Sequence, residues 1–179
     1  ILNISYCPQL KSNDPEVQSH EINSKKMSLL DYFDSNWNVN IDKLLKLAPL
    51  LEYVDLSGIE DIIETEVKGG INEFLGKCQN MSHLKVSSAS LTSIDAPNVT
   101  ELDCSGCTAL TSIIVPETSD LYCSDCTALT SITAPKATKL ECYGCPALTS
   151  INAPEATELI CHYCPAVTSI NAPKASSIE

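Results

Sequence analysis

The strongest constraint on this chain is a phrase that recurs five times at a fixed interval of 19 residues. The phrase reads Leu-Thr-Ser-Ile-x-Ala-Pro-x-Ala-Thr-x-Leu-x-Cys-x-x-Cys-x-Ala, with small departures in each copy. Its copies begin at Leu91, Leu110, Leu129, Leu148 and Val167. A fixed period of this length indicates supersecondary units that stack on one another. The sequence therefore predicts a solenoid, an architecture that favours surface recognition over a catalytic pocket.

Each copy divides into an alternating stretch and an extended return. In the third copy Leu140 and Cys142 lie on the same side of a stretch with a period of two, which predicts a short strand with one buried face. Residues 148–155 are too short for a helix and contain Pro154, so we expect an extended or polyproline-like return.

The leucine-rich-repeat template, Leu-x-x-Leu-x-Leu-x-x-(Asn/Cys)-x-Leu, also fits upstream stretches near Leu2, Leu51 and Met81. These longer copies carry helical spacing in two places. One predicted helix has the stripe Ile71, Phe74, Leu75 and Cys78; the other has Ile41, Leu44, Leu45 and Ala48, with Asn40 as N-cap and Pro49 as stop.

These patterns divide the chain into two parts. Residues 1–90 are expected to form irregular, longer repeats with an insertion near residues 11–36, and residues 91–179 regular repeats of the same continuous solenoid. Neither end has the polar or helical cap that a solenoid needs, so we expect the array to continue beyond both termini.

Charge and motif content narrow the class of partner. The net charge of −12 disfavours nucleic acid and anionic membranes, and it favours a basic protein ligand. No apolar run is long enough to cross a bilayer, so no membrane insertion is expected. No phosphate loop or nucleophile elbow occurs, so we expect no cofactor and no enzymatic activity.

The cysteine pairs allow two interpretations. Successive pairs have the spacing of a zinc site, and neighbouring strands would bring equivalent thiols within ~5 Å. However, other copies hold Leu56 and Val86 at the sixth template position and Ile59 and Ala89 at the ninth, which favours small core side chains over metal ligands. We therefore expect a structural cysteine ladder without metal, and free buried thiols fit a reducing cytosol. The pairs are Cys104/Cys107, Cys123/Cys126, Cys142/Cys145 and Cys161/Cys164.

Variation between the copies indicates where a partner could bind. Positions that build the coil hardly change, because stacking fixes their volume, whereas outward strand positions differ. Tyrosines flanked by carboxylates suit a basic protein partner, although a solvated surface under no constraint would vary in the same way. His162 is expected to be a contact residue without a catalytic role, because the neighbouring thiols should face the other side. The predicted binding residues are Asp103, Tyr122, Asp125, Glu141, Tyr143, Ile160, His162 and Tyr163.

Residues 91–179 resemble the short leucine-rich repeats of bacterial effectors of the YopM, IpaH and SspH type. Those repeats use Leu-Thr-x-Leu-Pro-x-Leu-Pro where this chain has Leu-Thr-Ser-Ile-x-Ala-Pro, which is one residue shorter per turn. The recurring cysteine is similar to the ladders of some internalin-like surface proteins. The upstream stretch Leu51-Glu-Tyr-Val54-Asp-Leu56-Ser-Gly is similar to the longer repeats of F-box and ribonuclease-inhibitor-like proteins.

The resemblance implies an α/β leucine-rich-repeat solenoid with a parallel concave sheet. It implies short convex helices in the N-terminal half and extended convex segments in the C-terminal half. The implied function is non-enzymatic protein binding on the concave face, within an effector that a bacterium secretes into the host cytoplasm. Two alternatives remain open: the substrate-recognition arm of a ubiquitin ligase whose catalytic part is outside this chain, and a cell-surface adhesion array.

Overall fold

The computed structural model describes residues 2–3, 20–22, 25–27 and 41–178, apart from 57–59. The chain divides into two compact units, Ile1–Met81 and Ser82–Glu179. Most of the insertion predicted near residues 11–36 lies outside the described residues, as do the proposed N-cap Asn40 and the template residue Ile59.

Short helices and strands make up the first unit. β1 pairs in parallel with β4, and β2 pairs with β3 as an antiparallel hairpin. A 3-10 helix at Ala48–Leu50 extends α1. In chain order the elements are β1 (Leu2–Asn3), β2 (His20–Ile22), β3 (Lys25–Met27), α1 (Ile41–Leu47), β4 (Tyr53–Asp55), α2 (Glu60–Glu66) and α3 (Gly70–Lys77).

The two helices that periodicity predicts are present as α1 and α3. α3 buries Ile71, Phe74 and Leu75, because residues three and four apart share one face of a helix. α2 was not predicted, because its buried face holds Glu60 beside Ile63 and its apolar stripe is therefore incomplete. It contributes Glu64, whose carboxylate accepts a hydrogen bond from the backbone N–H of Ile71 at 3.0 Å and so satisfies a donor in the first turn of α3.

The second unit is a parallel β-solenoid of about five turns. Its first sheet contains β5, β6, β8, β10, β12 and β14 in that spatial order, and its second contains β7, β9, β11 and β13. The strands are β5 (His83–Lys85), β6 (Glu101–Asp103), β7 (Ser112–Ile114), β8 (Asp120–Tyr122), β9 (Ser131–Thr133), β10 (Lys139–Glu141), β11 (Ser150–Asn152), β12 (Glu158–Ile160), β13 (Ser169–Asn171) and β14 (Ser177–Ile178).

The core of this unit is built from columns of identical residues, because each strand pairs in register with the equivalent strand one repeat away. Leu102, Leu121, Leu140 and Leu159 align through the first sheet, and all four are fully buried. Ile113, Ile132 and Ile151 align through the second sheet and are also buried. Because the period is constant at 19 residues, paired residues in neighbouring strands of these columns are 19 residues apart in the sequence.

The structure refines the predicted return segment. The stretch Ser150–Asn152 is extended, as expected, but it is a paired strand of the second sheet. The backbone of Ser150–Asn152, which surrounds the buried Ile151, pairs with the strands of both neighbouring coils. Within the described residues, no helix has the length and apolar character needed to cross a membrane.

Candidate interaction face and cysteine ladder

Parallel pairing aligns four of the predicted binding residues in one column of the first sheet. Asp103 lies opposite Tyr122, Tyr122 opposite Glu141, and Glu141 opposite Ile160. All four side chains are half-buried, because each leans on the equivalent residue of the next coil. Together with Asp125, Tyr143, His162 and Tyr163 they form what we call the tyrosine face.

Tyr122 lies in a small charged cluster on this face. The Lys139 ammonium lies 5.2 Å from the centre of the Tyr122 ring, within the range of a cation–π contact. Lys139 also pairs with Glu141 at 2.9 Å and with Glu158 at 3.8 Å. The hydrogen bond to Glu141 raises the pKa of Lys139, so this lysine stays charged at neutral pH. The ring of Tyr122 is therefore held in place by a cation within the face itself.

Tyr143 and Tyr163 form an aromatic pair that projects into solvent. Their ring centres are 5.1 Å apart with an interplanar angle of 66°, an edge-to-face arrangement. Tyr143 is 47% exposed and Tyr163 is 73% exposed. Large exposed aromatic side chains in contact with each other offer apolar area with polar tips, which suits protein recognition.

The backbone conformation distinguishes Tyr163 from the other members of its column. Gly106, Asp125, Gly144 and Tyr163 occupy equivalent template positions and all have positive φ, at 81°, 57°, 68° and 56°. Glycine and aspartate tolerate the left-handed region well, so the backbone alone accounts for three of the four. A bulky tyrosine there is a genuine outlier, and the glycines one and three coils earlier are the sequence signal that could have indicated the left-handed turn.

Two further polar contacts lie at the β5 side of the first sheet. His83 Nε2 approaches Glu101 Oε2 at 3.5 Å, and Lys85 Nζ approaches Asp103 Oδ2 at 4.0 Å. Lys85 was not predicted as a binding residue, although it lies opposite Asp103 in the same column. Because these side chains are exposed or half-buried, the pairs contribute little to stability and leave the groups accessible to a partner.

The cysteines form a ladder of sulfur hydrogen bonds through the core. In the ninth template position, Cys126, Cys145 and Cys164 each donate to the backbone carbonyl of the sixth-position residue one coil earlier, at 3.2 Å in every case. Cys123 and Cys142, in the sixth position, point toward carbonyls of the following coil at 3.6 Å. The thiols therefore contribute polar contacts as well as volume.

One template assignment was wrong. The copy that begins at Met81 is a residue shorter, and its buried ninth-position residue is Ser88, whereas Ala89 is exposed. The backbone N–H of Ser88 donates to Cys107 Sγ at 3.4 Å. At the sixth position Leu56 and Val86 are buried as predicted. The ninth position thus accepts a small side chain with hydrogen-bonding capacity, of which cysteine and serine are examples.

Burial keeps most of these thiols protonated. It raises the pKa of Cys78 and of Cys145 to about 12 in each case, because a thiolate is poorly solvated in the core. Cys161 and Cys164 are only half-buried, in contrast to the fully buried equivalents in the preceding coils. Both thiols of each Cys-x-x-Cys pair are free in the structure.

The His162 side chain is exposed, and its backbone carbonyl accepts a hydrogen bond from Cys164 Sγ at 3.4 Å. Its role as a contact residue stays a prediction.

No family model, curated protein or solved structure matches this chain.

Proposed function

We propose that the second unit is a leucine-rich-repeat-like module that binds a basic protein through the tyrosine face, without enzymatic activity. The observation that carries this proposal is the conformation of Tyr163. Its left-handed backbone costs about 1–2 kcal/mol for a residue with a Cβ, yet its ring remains 73% exposed. A strained and exposed aromatic residue is best explained by a surface that a partner covers.

Charge supports a basic partner. The chain carries 23 acidic and 11 basic residues, so an approaching cationic surface is attracted over several ångströms. On the face itself, acidic groups flank the aromatic rings at Asp125 and Glu141. An arginine of the partner could stack on the Tyr143–Tyr163 pair while its guanidinium reaches a carboxylate.

The cellular location of this binding is also a proposal. Free thiols in the core are compatible with a reducing cytosol. From the resemblance to effector repeats, we propose that the module belongs to a bacterial protein that acts inside a host cell.

A pull-down from host cytosol tests this function with a matched pair of variants. The first is Tyr122→Ala/Tyr143→Ala/Tyr163→Ala, which truncates the face. The second, Ile114→Ala/Thr133→Ala/Asn152→Ala, makes the same number of substitutions in one aligned column of the second sheet. We expect the first to lose at least tenfold in affinity for the captured basic protein and the second to match the wild type.

The captured partner must also bind more weakly at high salt, because screening removes the long-range attraction. A partner list that the tyrosine substitutions leave unchanged would remove the tyrosine face from the proposal. A partner retained at high salt would contradict its basic character.

A further inference from the structure

Three cysteine sulfurs converge where two neighbouring coils meet in the second unit. Sγ of Cys142, Cys161 and Cys164 all lie within 4.8 Å of one another, and this is the group of metal-ligand type that the described residues bring together. A tetrahedral zinc ion with Zn–S bonds of about 2.3 Å holds its sulfurs about 3.8 Å apart. The three sulfurs are therefore within about 1 Å of the separation that zinc requires.

The three thiols come from the sixth position of one coil and from the sixth and ninth positions of the next. Cys142 and Cys164 direct their thiols at backbone carbonyls at 3.6 Å and 3.2 Å, as the thiols of the preceding coils do. Because all three sulfurs already lie within 4.8 Å of one another, small side-chain rotations are enough for them to share a cation.

The Cys142 thiol is one of two hydrogen-bond donors to the same backbone carbonyl. Cys142 Sγ approaches the Ile160 carbonyl at 3.6 Å, but that carbonyl also accepts the Cys142 backbone N–H at 2.8 Å. It therefore keeps a hydrogen bond when the thiol ionises. Cys161 and Cys164 are half-buried, which provides an entry path for an ion and room for a fourth ligand.

We propose that Cys142, Cys161 and Cys164 form a binding site for a thiophilic divalent cation, zinc, with water as the fourth ligand. Three S–H groups release their protons to solvent and three Zn–S bonds form, with no change in oxidation state. The acidic character of the chain favours the approach of a cation. This site differs from the Cys-x2-Cys-x15-Cys-x2-Cys spacing considered for the sequence, because it takes a single cysteine from one coil and both from the next.

Proton release gives the site a definite pH dependence. Zinc binds cysteine as the thiolate, so each thiol of the site must lose its proton when the ion binds. Zinc must displace these protons, and its affinity should rise as the pH rises from 6 toward 8, by up to about tenfold per pH unit for each proton displaced.

The test is zinc titration of the reduced full chain against a chromophoric chelator. Cys161→Ala removes one ligand, and Cys104→Ala is the matched control, because both residues occupy the sixth template position three coils apart. We expect about one zinc per chain for the wild type and for Cys104→Ala, and at least a hundredfold weaker binding for Cys161→Ala. Circular dichroism before titration establishes that each variant is folded. If Cys161→Ala is unfolded, Cys164→Ser is titrated in its place.

A second measurement counts the ligands directly. Cadmium in place of zinc gives an ultraviolet charge-transfer band whose intensity reports the number of bound thiolates, and three are expected. The proposal is overturned if the wild type takes up no zinc, if Cys104→Ala and Cys161→Ala bind equally, or if fewer than three thiolates bind cadmium.

Discussion

At the scale of single residues, Tyr163 contributes little to the free energy of unfolding. Its left-handed backbone costs about 1–2 kcal/mol, and an edge-to-face contact with Tyr143 returns about 0.5–1.5 kcal/mol. The two terms nearly cancel, so tyrosine at this position gives the fold little that glycine would not. This balance is why we assign the residue to recognition.

Glycine at an equivalent turn position gives a prediction for the same backbone region. Gly144 has a φ of 68°, and a Cβ there would lie 2.5 Å from Asp125 Oδ1. Gly144→Ala should therefore lower the free energy of unfolding by at least ~1 kcal/mol, measured by urea denaturation. Gly76 is the control: it lies in α3 with nothing within 4 Å of the added Cβ, so Gly76→Ala should stabilise by about 0.5–1 kcal/mol. A stabilised Gly144→Ala variant would contradict the left-handed assignment.

At the scale of elements, the sequence predicts strands well where a buried residue repeats every second position. Leu140 and Cys142 show this pattern, and β10 lies there. The second sheet was predicted only as an extended return, because β7, β9 and β11 are 3 residues long and a proline follows each of them closely. Only the pairing of successive coils turns such a stretch into a strand. α2 was not predicted because its buried face holds Glu60 beside Ile63, so its apolar stripe is incomplete.

Adjacent isoleucines on β7 test the inward and outward assignment of the second sheet. Ile113 is 1% exposed and Ile114 is 68% exposed. Ile113→Ala should lower the free energy of unfolding by about 2–5 kcal/mol, because it removes apolar contacts and leaves a cavity. Ile114→Ala, the same chemical change one residue away, should cost less than ~0.5 kcal/mol. Equal losses in a chemical denaturation series would show that β7 does not have one buried face.

At the scale of the whole molecule, a constant period predicts the stack and the columns, since every coil repeats the register of its neighbour. This is why the column from Asp103 to Ile160 could be predicted. The shorter copy near Ser88 breaks the period, so the template failed there. The left-handed turn at Tyr163 continues a column in which glycine or aspartate recurs every 19 residues, and the approach of Cys161 to Cys142 follows from the same period. The approach of Cys164 to both sulfurs depends on three-dimensional packing.

The buried thiols give the whole fold a predicted sensitivity to alkali. Burial raises the pKa of Cys78 and of Cys145 to about 12, whereas an unfolded cysteine titrates near 8.5. Below pH ~8.5 both states keep the proton and the stabilisation is complete. Above it the unfolded chain releases protons that the folded chain retains, so stability falls as the pH rises toward 12, by at most about 1.4 kcal/mol per pH unit for each thiol.

Urea midpoints between pH 7 and 10 measure this fall, and salt separates its two causes. Deprotonation at high pH also increases the net negative charge, and 0.5 M NaCl screens that repulsion, but salt cannot return protons to buried sulfur. We expect the decline to persist in salt and to be shallower in Cys78→Ala and in Cys145→Ala than in the wild type. If salt abolishes the decline, or if the decline is as steep in both variants as in the wild type, the alkaline sensitivity comes from net charge and the buried thiols do not cause it.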